Sequence, residues 1–264
     1  MRCASGLRKL IDILSGMESA VIAFSGGADS TFLVKAAVLS GMRAAAVTAV
    51  SPTLPERDLE DAQAMAKTIG VPHMLIDTGE LGVSDFAKNP VDRCFYCKDE
   101  LFGKLREIAL SGDYRFVLDG SNLDDREDWR PGRKAAAKHG VRSPLLEAGM
   151  GKEEIRRFSR ELGLPTWNKP ASPCLSSRFP YGTPITAEAL RQVGEAEKFL
   201  RSLGLDELRV RHCRETARIE VREEEISRLL SPDTRKAVVA KLHSLGYRFV
   251  SLDLEGFRSG KLNG

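Results

Sequence analysis

Six consecutive residues near the start of the chain, Ser25-Gly-Gly-Ala-Asp-Ser30, have the types and spacing that bind phosphate. They follow an apolar run at 21–24 and precede a helical pattern that begins at Thr31. A strand that ends in a glycine turn and continues as a helix directs several backbone N–H groups at one point, where the helix dipole also favours an anion. The motif therefore predicts a site for the phosphates of a nucleotide.

The residues of this motif would contribute to such a site in different ways. Gly26 and Gly27 have no side chains, so the backbone can approach the anion closely. The hydroxyls of Ser25 and Ser30 are further donors, and the carboxylate of Asp29 can hold a Mg²⁺ ion that bridges the phosphates. Ser, Gly and Asp are also common in ordinary turns, but the complete motif between a strand and a helix favours phosphate binding.

Three cysteines could hold a metal centre or carry sulfur. Cys94 and Cys97 form a C-x-x-C pair just before a predicted helix, and Cys174 lies in a proline-rich segment. The pair fits a structural zinc corner, a redox dithiol or half of an iron–sulfur site. Structural zinc normally takes four protein ligands, whereas three cysteines on a [4Fe–4S] cluster would leave one iron open for reaction. Cys3 and Cys213 are assigned no role.

Polar side chains in the second half of the chain could bind another anion. Arg209 and Arg211 alternate along one predicted strand and therefore face the same side of it. Two guanidinium groups suit bidentate phosphate capture, but polar residues also alternate on the solvated face of an antiparallel sheet, and the sequence leaves both possibilities open. The run Ser176-Ser-Arg178 follows Cys174 directly and adds hydroxyls and a guanidinium near that sulfur.

Alternating strands and helices would position the phosphate motif in a doubly wound parallel sheet. The predicted strands are 20–24, 43–50, 73–77 and 114–119, and the predicted helices are 6–16, 31–39, 55–69 and about 97–110. Ligands of such sheets bind beyond the carboxyl ends of the strands. This rule adds Ser51 and Gly120, which follow the second and fourth strands, to the predicted nucleotide site.

Changes in pattern divide the chain into three predicted regions. Residues 1–164 form the α/β nucleotide domain, and residues 165–185 form an active-site loop that is rich in proline and bears Cys174. Residues 186–264 form a small α+β domain with an antiparallel sheet. Its predicted helices are 186–203, 223–230 and 232–244, and its predicted strands are 207–213, 216–221 and 247–253.

Composition and charge limit the class of protein. The 264 residues are 42% hydrophobic and 29% charged, as in ordinary globular proteins, and a net charge of +3 gives no reason to expect nucleic-acid binding. No apolar run approaches the roughly eighteen residues of a membrane span, and the first residues lack the apolar core of a signal peptide. The chain has five cysteines, an odd number, and two of them form the C-x-x-C pair. Without a secretion signal, this pattern favours metal or redox chemistry over a disulfide framework, and we expect a cytoplasmic protein.

Longer stretches of the chain resemble a known family. SGGADS is similar to the pyrophosphate loop of the PP-loop ATPases, such as GMP synthetase, NAD synthetase and tRNA thiolases, which split ATP into AMP and pyrophosphate. The remaining stretches resemble the LarE family, sulfur transferases that help build the nickel-pincer nucleotide cofactor of lactate racemase. These stretches are RCFYCKDELF, DGSNLDDREDWRPGRKAA, KPASPCLSSRFPYGTPIT and RVRHCRETARIEV, so the resemblance covers nearly the whole chain.

The resemblance implies a PP-loop ATPase domain, with ATP and Mg²⁺, acting on pyridinium-3,5-biscarboxylic acid mononucleotide. In that family a carboxylate is activated as its acyl-adenylate, and a sulfur nucleophile displaces AMP to give a thiocarboxylate. Some members sacrifice a single cysteine, and others hold a [4Fe–4S] cluster on three cysteines. Because this chain has Cys94 and Cys97 besides Cys174, it resembles the second group.

The resemblance also implies a homo-oligomer, a hexamer as in that family.

It further implies roles for individual residues. The residues expected to hold ATP phosphates are Ser25, Gly26, Gly27, Asp29 and Ser30, and those expected to hold the substrate phosphate are Ser177, Arg178, Arg209 and Arg211.

Two other functions are compatible with parts of the pattern. A tRNA thiolase also joins a PP-loop to a three-cysteine cluster, but the modest charge and the absence of a recognisable RNA-binding module argue against it. A non-catalytic nucleotide sensor with a structural zinc is the other alternative, although a loop with both Asp29 and Ser30 suits catalytic phosphate handling.

Overall fold

The computed structural model describes residues 3–126 and 131–258, with side chains described from residue 6 and not at residue 126. Residues 127–130 of one of the resembling stretches, and the side chain of Cys3, therefore lie outside the described part. The chain separates into two compact units. The first contains the chain up to Val83 and Asp92–Ser172, and the second contains Ser84–Val91 and the chain from Pro173 onward. The three regions expected from the sequence remain a prediction.

Helices account for most of the regular structure. In chain order they are α1 (Cys3–Ser15), α2 (Ala28–Leu39), α3 (Glu56–Ile69), α4 (Ser84–Ala87), α5 (Arg93–Ser111), α6 (Gly132–Lys138), α7 (Pro144–Ala148), α8 (Lys152–Glu161), α9 (Ala187–Ser202), α10 (Ile226–Leu229) and α11 (Pro232–Ser244). Short 3₁₀ turns occupy Glu80–Gly82, Leu123–Arg126, Pro165–Asn168, Leu175–Arg178 and Glu223–Glu225. None of the helices within the described ranges is both long and apolar enough to cross a membrane.

The first unit is built on a four-stranded parallel sheet, which confirms the predicted α/β class. Its strands are β1 (Ser19–Ala23), β2 (Arg43–Val50), β3 (His73–Asp77) and β4 (Phe116–Leu118), in the order β3-β2-β1-β4. Ile22 packs with Phe32 and Phe158 in one apolar cluster, and its neighbour Val21 packs with Phe102 in another. Both faces of the sheet are therefore covered, as parallel sheets require.

The structure corrects the predicted start of the helix that carries the cysteine pair. Helix α5 begins at Arg93, so Cys94 and Cys97 lie inside its first turns rather than before it. The first turns are mostly half-exposed, with Cys94 exposed, whereas the buried apolar positions begin at Phe102. Apolar periodicity therefore located the later part of the helix and missed its start.

The second unit contains a three-stranded mixed sheet. Its strands are β5 (Leu208–Cys213), β6 (Thr216–Val221) and β7 (Phe249–Leu252), in the order β5-β6-β7. Strands β5 and β6 are antiparallel, but β6 and β7 are parallel, so the prediction of an antiparallel sheet was wrong for β7. The connection between β6 and β7 contains α10 and α11, and a helical crossover of this kind allows parallel pairing.

Candidate functional site

The predicted phosphate motif forms the turn between β1 and α2, as the sequence indicated. Gly26 has a φ of +65°, in the left-handed region that favours glycine. Gly27 is the extended N-cap of α2 and, as a glycine, has no side chain with which to cap this helix end. The first N–H groups of a helix have no partner within the helix. An uncapped helix start beside a glycine turn is therefore available to an anion.

Two serine hydroxyls face each other across this turn. Ser25 Oγ lies 3.1 Å from Ser30 Oγ and accepts a hydrogen bond from the backbone N–H of Gly27 at 3.3 Å. Ser30 Oγ donates to the carbonyl of Gly27 at 3.3 Å. Asp29 lies half-buried in the first turn of α2. The structure thus brings together the five predicted phosphate ligands, with hydroxyls and a carboxylate at one helix end.

Close packing against neighbouring elements fixes the turn. A Cβ at Gly26 would lie 2.8 Å from Cα and 2.9 Å from the backbone nitrogen of Ala62, which belongs to α3. Gly120, after β4, also packs against the turn, because a Cβ built there would lie 3.1 Å from the backbone nitrogen of Ser30. Gly120 thus provides room for the start of α2, a packing role that the sequence did not distinguish from ligand binding.

A lysine and two aspartates beside the turn were missed by the sequence reasoning. Lys169 Nζ donates to the carbonyl of Gly26 at 3.3 Å and lies 2.8 Å from Asp61 Oδ2 and 3.5 Å from Asp58 Oδ1. Asp58 and Asp61 are one turn apart on α3 and therefore share a face. Lys169 begins the quoted stretch that contains Cys174, which was its one signal in the sequence.

Ser51, the predicted nucleotide ligand after β2, belongs to a buried polar cluster. Ser51 Oγ donates to Glu80 Oε1 at 2.5 Å, and Thr53 Oγ1 donates to the same oxygen at 2.9 Å. Glu80 is buried, and its second carboxylate oxygen has no hydrogen-bond partner among the described residues. The described contacts of Ser51 thus hold the loop after β2 through Glu80.

The cysteine pair lies on one side of the first turns of α5. Cys94 and Cys97 are three residues apart on the helix, a spacing that brings side chains together. Next to Cys97, Lys98 Nζ lies 3.8 Å from Asp119 Oδ2. Asp119 is buried at the end of β4 and accepts hydrogen bonds from Ser121 and Ser143. An ion pair thus links the cysteine helix to the carboxyl end of the sheet.

Cys174 belongs to the second unit and is half-buried. It is the N-cap of the 3₁₀ turn Leu175–Arg178. Within the described ranges, no group of three or more Cys, His, Asp or Glu residues is close enough to hold a metal ion. By chemistry the three predicted thiols fit an iron–sulfur cluster, since thiolates are its usual ligands. The pair on α5 supplies two such groups on one helix face.

Arg178 is buried and holds the backbone around Cys174. Its Nε and Nη2 form a two-point pair with Glu197 at 2.8 and 2.9 Å. Its Nη1 donates to the carbonyls of Pro173 and Cys174 and to Ser177 Oγ. Burial opposes ionisation of Glu197, but Arg178, together with the charge of Arg201 and the backbone N–H of Val210, outweighs it, so the pKa of Glu197 is lowered. Arg178 thus positions the cysteine segment.

Arg211 holds the same segment from strand β5. Two of its nitrogens donate to Glu220 Oε2 at 2.9 and 2.7 Å, and Nη1 donates to the carbonyl of Ser177 at 2.8 Å. Arg211 and Glu220 are both buried, so this face of the strand is not the solvated face that the alternation left possible. The guanidinium groups of Arg178 and Arg211 both hold backbone next to Cys174, with their charges balanced by buried carboxylates.

Arg209 differs from the other two arginines. It is half-buried and donates to the carbonyl of Leu208, and its guanidinium lies over the ring of Phe257. No carboxylate forms a salt bridge with it within the described part of the chain. Burial lowers the pKa of Arg209 to about 10, and the positive charge of Arg178 acts in the same direction. A desolvated cation without a paired anion favours binding of a phosphate.

Comparison with known proteins identifies the relatives of the chain. No model of a protein family matches it. It is 40% identical, over 96% of this chain and 92% of the other, to pyridinium-3,5-bisthiocarboxylic acid mononucleotide synthase of Lactiplantibacillus plantarum. It is 47% identical to an uncharacterized protein of Synechocystis, over 98% of this chain and 97% of that protein.

A solved structure supports the fold assignment. NMN synthetase from Francisella tularensis superposes with a TM-score of 0.54 at 19% identity, over 76% of this chain and 86% of that one. An NH(3)-dependent NAD(+) synthetase of Mannheimia succiniciproducens is 27% identical over 58% of this chain. These likenesses confirm the predicted PP-loop α/β fold. The chain belongs to the LarE family, the pyridinium-3,5-bisthiocarboxylic acid mononucleotide synthases.

Proposed function

We propose that this chain is an ATP-dependent sulfur transferase that converts the carboxylates of pyridinium-3,5-biscarboxylic acid mononucleotide into thiocarboxylates. The observation that carries the proposal is the uncapped start of α2 with its facing serine hydroxyls, found in a chain 40% identical to a synthase of the bisthiocarboxylic product. A carboxylate is a poor acyl donor, and transfer of AMP to it supplies a good leaving group. The phosphate site therefore serves activation of the substrate.

The activation step follows from the groups at the turn. The N–H groups at the start of α2 and the hydroxyls of Ser25 and Ser30 would hold the phosphates, and Asp29 would hold Mg²⁺. A substrate carboxylate oxygen attacks the α-phosphorus, and the bond from that phosphorus to the bridging oxygen of pyrophosphate breaks. The products are the acyl-adenylate and pyrophosphate. The positive helix end stabilises the charge that develops on the leaving pyrophosphate.

The sulfur step would take place at Cys174. A sulfur nucleophile attacks the acyl carbon, and the bond from that carbon to the AMP oxygen breaks. Arg178 and Arg211 hold the carbonyls of Pro173, Cys174 and Ser177, so the segment that bears Cys174, the proposed cluster ligand, is fixed on two sides. Ser177 and Arg209 would contact the substrate phosphate, because Arg209 is the arginine of this group without a carboxylate partner among the described residues. In this arrangement Arg178 and Arg211, whose charges are paired with Glu197 and Glu220, position the backbone around Cys174.

Cys94, Cys97 and Cys174 would hold a [4Fe–4S] cluster in this proposal. When bound, the cluster would supply the transferable sulfur at an iron that no cysteine ligates. The pair on α5 and the half-buried Cys174 provide the thiols. A homo-oligomer, a hexamer as in the family, and a cytoplasmic location remain predictions.

Anaerobic reconstitution with iron and sulfide tests the proposal. The reconstituted chain is incubated with ATP, Mg²⁺ and the biscarboxylic mononucleotide, and pyrophosphate and thiocarboxylate are measured separately. We expect both products from the wild type. A Cys174→Ala variant should still release pyrophosphate but form no thiocarboxylate, because only the sulfur step needs that residue.

Metal analysis tests the cluster. A Cys97→Ala variant should lose most of its iron, whereas Cys213→Ala, a matched change in another half-buried cysteine, should keep it. The chain should retain the sulfur of Cys174 after turnover, which intact-mass measurement detects. Full iron in Cys97→Ala, or many turnovers by cluster-free protein, would contradict the cluster, and zinc without pyrophosphate release would favour a nucleotide sensor. Tight binding of tRNA on a filter would favour a tRNA thiolase.

A further inference from the structure

A lysine from the segment that precedes Cys174 lies against the phosphate-binding turn. Lys169 Nζ is 3.3 Å from the carbonyl oxygen of Gly26, the second residue of the Ser25–Ser30 motif. The lysine side chain is 19% exposed, so its ammonium group lies beside the turn rather than in open solvent. An ammonium in this position is close to any polyphosphate that the start of α2 holds.

We propose that Lys169 is a ligand of the β- and γ-phosphates of ATP, the part of the nucleotide that leaves as pyrophosphate. This inference rests on the proposed use of ATP. The ammonium would form charge-assisted hydrogen bonds with oxygens of the polyphosphate and would neutralise charge as the bond to the α-phosphorus breaks. The role adds a cation to the donors of the predicted motif, which are backbone N–H groups and hydroxyls.

The carboxylates that now contact Lys169 differ in how firmly they hold it. Asp61 is 2.8 Å away but its side chain is 41% exposed, and exposed ion pairs contribute little. A triphosphate carries more negative charge and more acceptor oxygens than this single carboxylate, so it competes well for the ammonium. The four-carbon stem of a lysine is flexible enough to change partner without a shift of the backbone.

Asp58 has a different effect on the same segment. Its side chain is 11% exposed, and it accepts a hydrogen bond from Ser172 Oγ at 2.6 Å as well as lying 3.5 Å from Lys169 Nζ. Ser172 and Lys169 are thus both attached to one nearly buried carboxylate on α3. The hydrogen bond from Ser172 keeps this segment attached to α3 while the ammonium of Lys169 exchanges Asp61 for phosphate.

Nucleotide titration distinguishes this role from a purely structural one. Binding of ATP with Mg²⁺ and of AMP is measured by calorimetry, without the carboxylate substrate, for the full chain and the variants Lys169→Met, Lys169→Arg and Asp61→Asn. Lys67→Met, which changes an exposed lysine at the other end of α3, is the control. Loss of a group that contacts the β- and γ-phosphates weakens binding of ATP alone, whereas loss of a residue that only holds the turn in place weakens binding of both nucleotides equally.

We expect Lys169→Met to weaken ATP binding by about 10- to 100-fold, the range of a lost hydrogen bond to a charged group, and to leave AMP binding nearly unchanged. Lys169→Arg should recover most of the affinity. Asp61→Asn should bind ATP as tightly as the wild type or more tightly, because it removes a competing anion. This variant tests the proposal even if Lys169→Met does not fold.

Several outcomes would overturn the inference. Wild-type ATP affinity in Lys169→Met, or an equal loss of ATP and AMP binding, would overturn it and leave the proposed function standing. Weaker ATP binding in Asp61→Asn would show that the ion pair only holds the structure. If the wild-type chain binds no ATP, the proposed function and this inference fall together.

Discussion

Replacement of Gly26 by alanine tests how the phosphate-binding turn is built. The φ of +65° places a non-glycine residue in the left-handed region, at a cost of about 1–2 kcal/mol. The new Cβ would also lie 2.8 Å from Cα and 2.9 Å from the nitrogen of Ala62, and both are backbone atoms that cannot rotate away. Overpacking of this kind costs about 1–3 kcal/mol. We therefore expect Gly26→Ala to lower the free energy of unfolding by about 2–5 kcal/mol.

Gly41 provides a matched control on the same helix. It follows the other end of α2 with a φ of +76°, and a Cβ there would meet nothing within 4 Å. Gly41→Ala therefore carries the backbone cost without the contact, about 1–2 kcal/mol. Equilibrium unfolding in urea measures both variants against the wild type. Calorimetry with ATP should show weaker binding for Gly26→Ala and unchanged binding for Gly41→Ala.

The stability and the ATP affinity of Gly26→Ala, each compared with those of Gly41→Ala, test this explanation of the turn. If Gly26→Ala loses no more stability than Gly41→Ala, the contact with α3 does not constrain the turn. If Gly26→Ala keeps the wild-type affinity for ATP, the turn is not the phosphate site, whatever its stability.

Two further predictions concern arginines of the second unit. Glu197→Gln leaves Arg178 buried without its counter-charge, so urea unfolding should show a loss of about 3–5 kcal/mol. Folding lowers the pKa of Glu197 from 4.5, so the extra stability of the wild type over Glu197→Gln is fully present above pH 4.5. This difference in the free energy of unfolding should disappear as the pH falls through the folded-state pKa. A difference that stays constant in acid would contradict the prediction. Arg209→Met should leave stability unchanged or raise it, since burying that cation is costly, but should weaken binding of nicotinate mononucleotide by about tenfold or more. Arg248→Met, an exposed arginine of the same unit, should change neither, and destabilisation by Arg209→Met with binding intact would refute the assignment.

Local patterns predicted the elements and the strand–turn–helix setting of the phosphate motif well, because both depend on neighbouring residues. The strand, turn and helix around Ser25–Ser30 are present as expected, and the bounds of β2 and β3 agree with the sequence. Lys169 could not be predicted as part of this site, because it lies 143 residues from Gly26 and no local periodicity joins them.

The buried ion pairs left a weaker signal that the sequence reasoning did not use. Glu197 occupies a position on α9 in line with the buried Val193 and Leu200, where an acid is unexpected. A charged residue on the apolar face of a helix indicates a buried partner. Arg211 and Glu220 gave no such signal, because period-two alternation assigns them to the outer face of a hairpin, whereas they are buried.

The placement of Glu220 has a consequence for how the β5–β6 hairpin finds its alignment. Arg211 is directly opposite Arg218, and Glu220 pairs with both, at 2.7 and 3.2 Å. Two like charges face each other in the correct alignment only because this carboxylate lies beside them. A shift of one residue would move every side chain of β6 to the other face and leave Arg211 buried without an anion. Misaligned hairpins are thereby penalised during folding, and the strand that carries Arg209 is selected in one alignment.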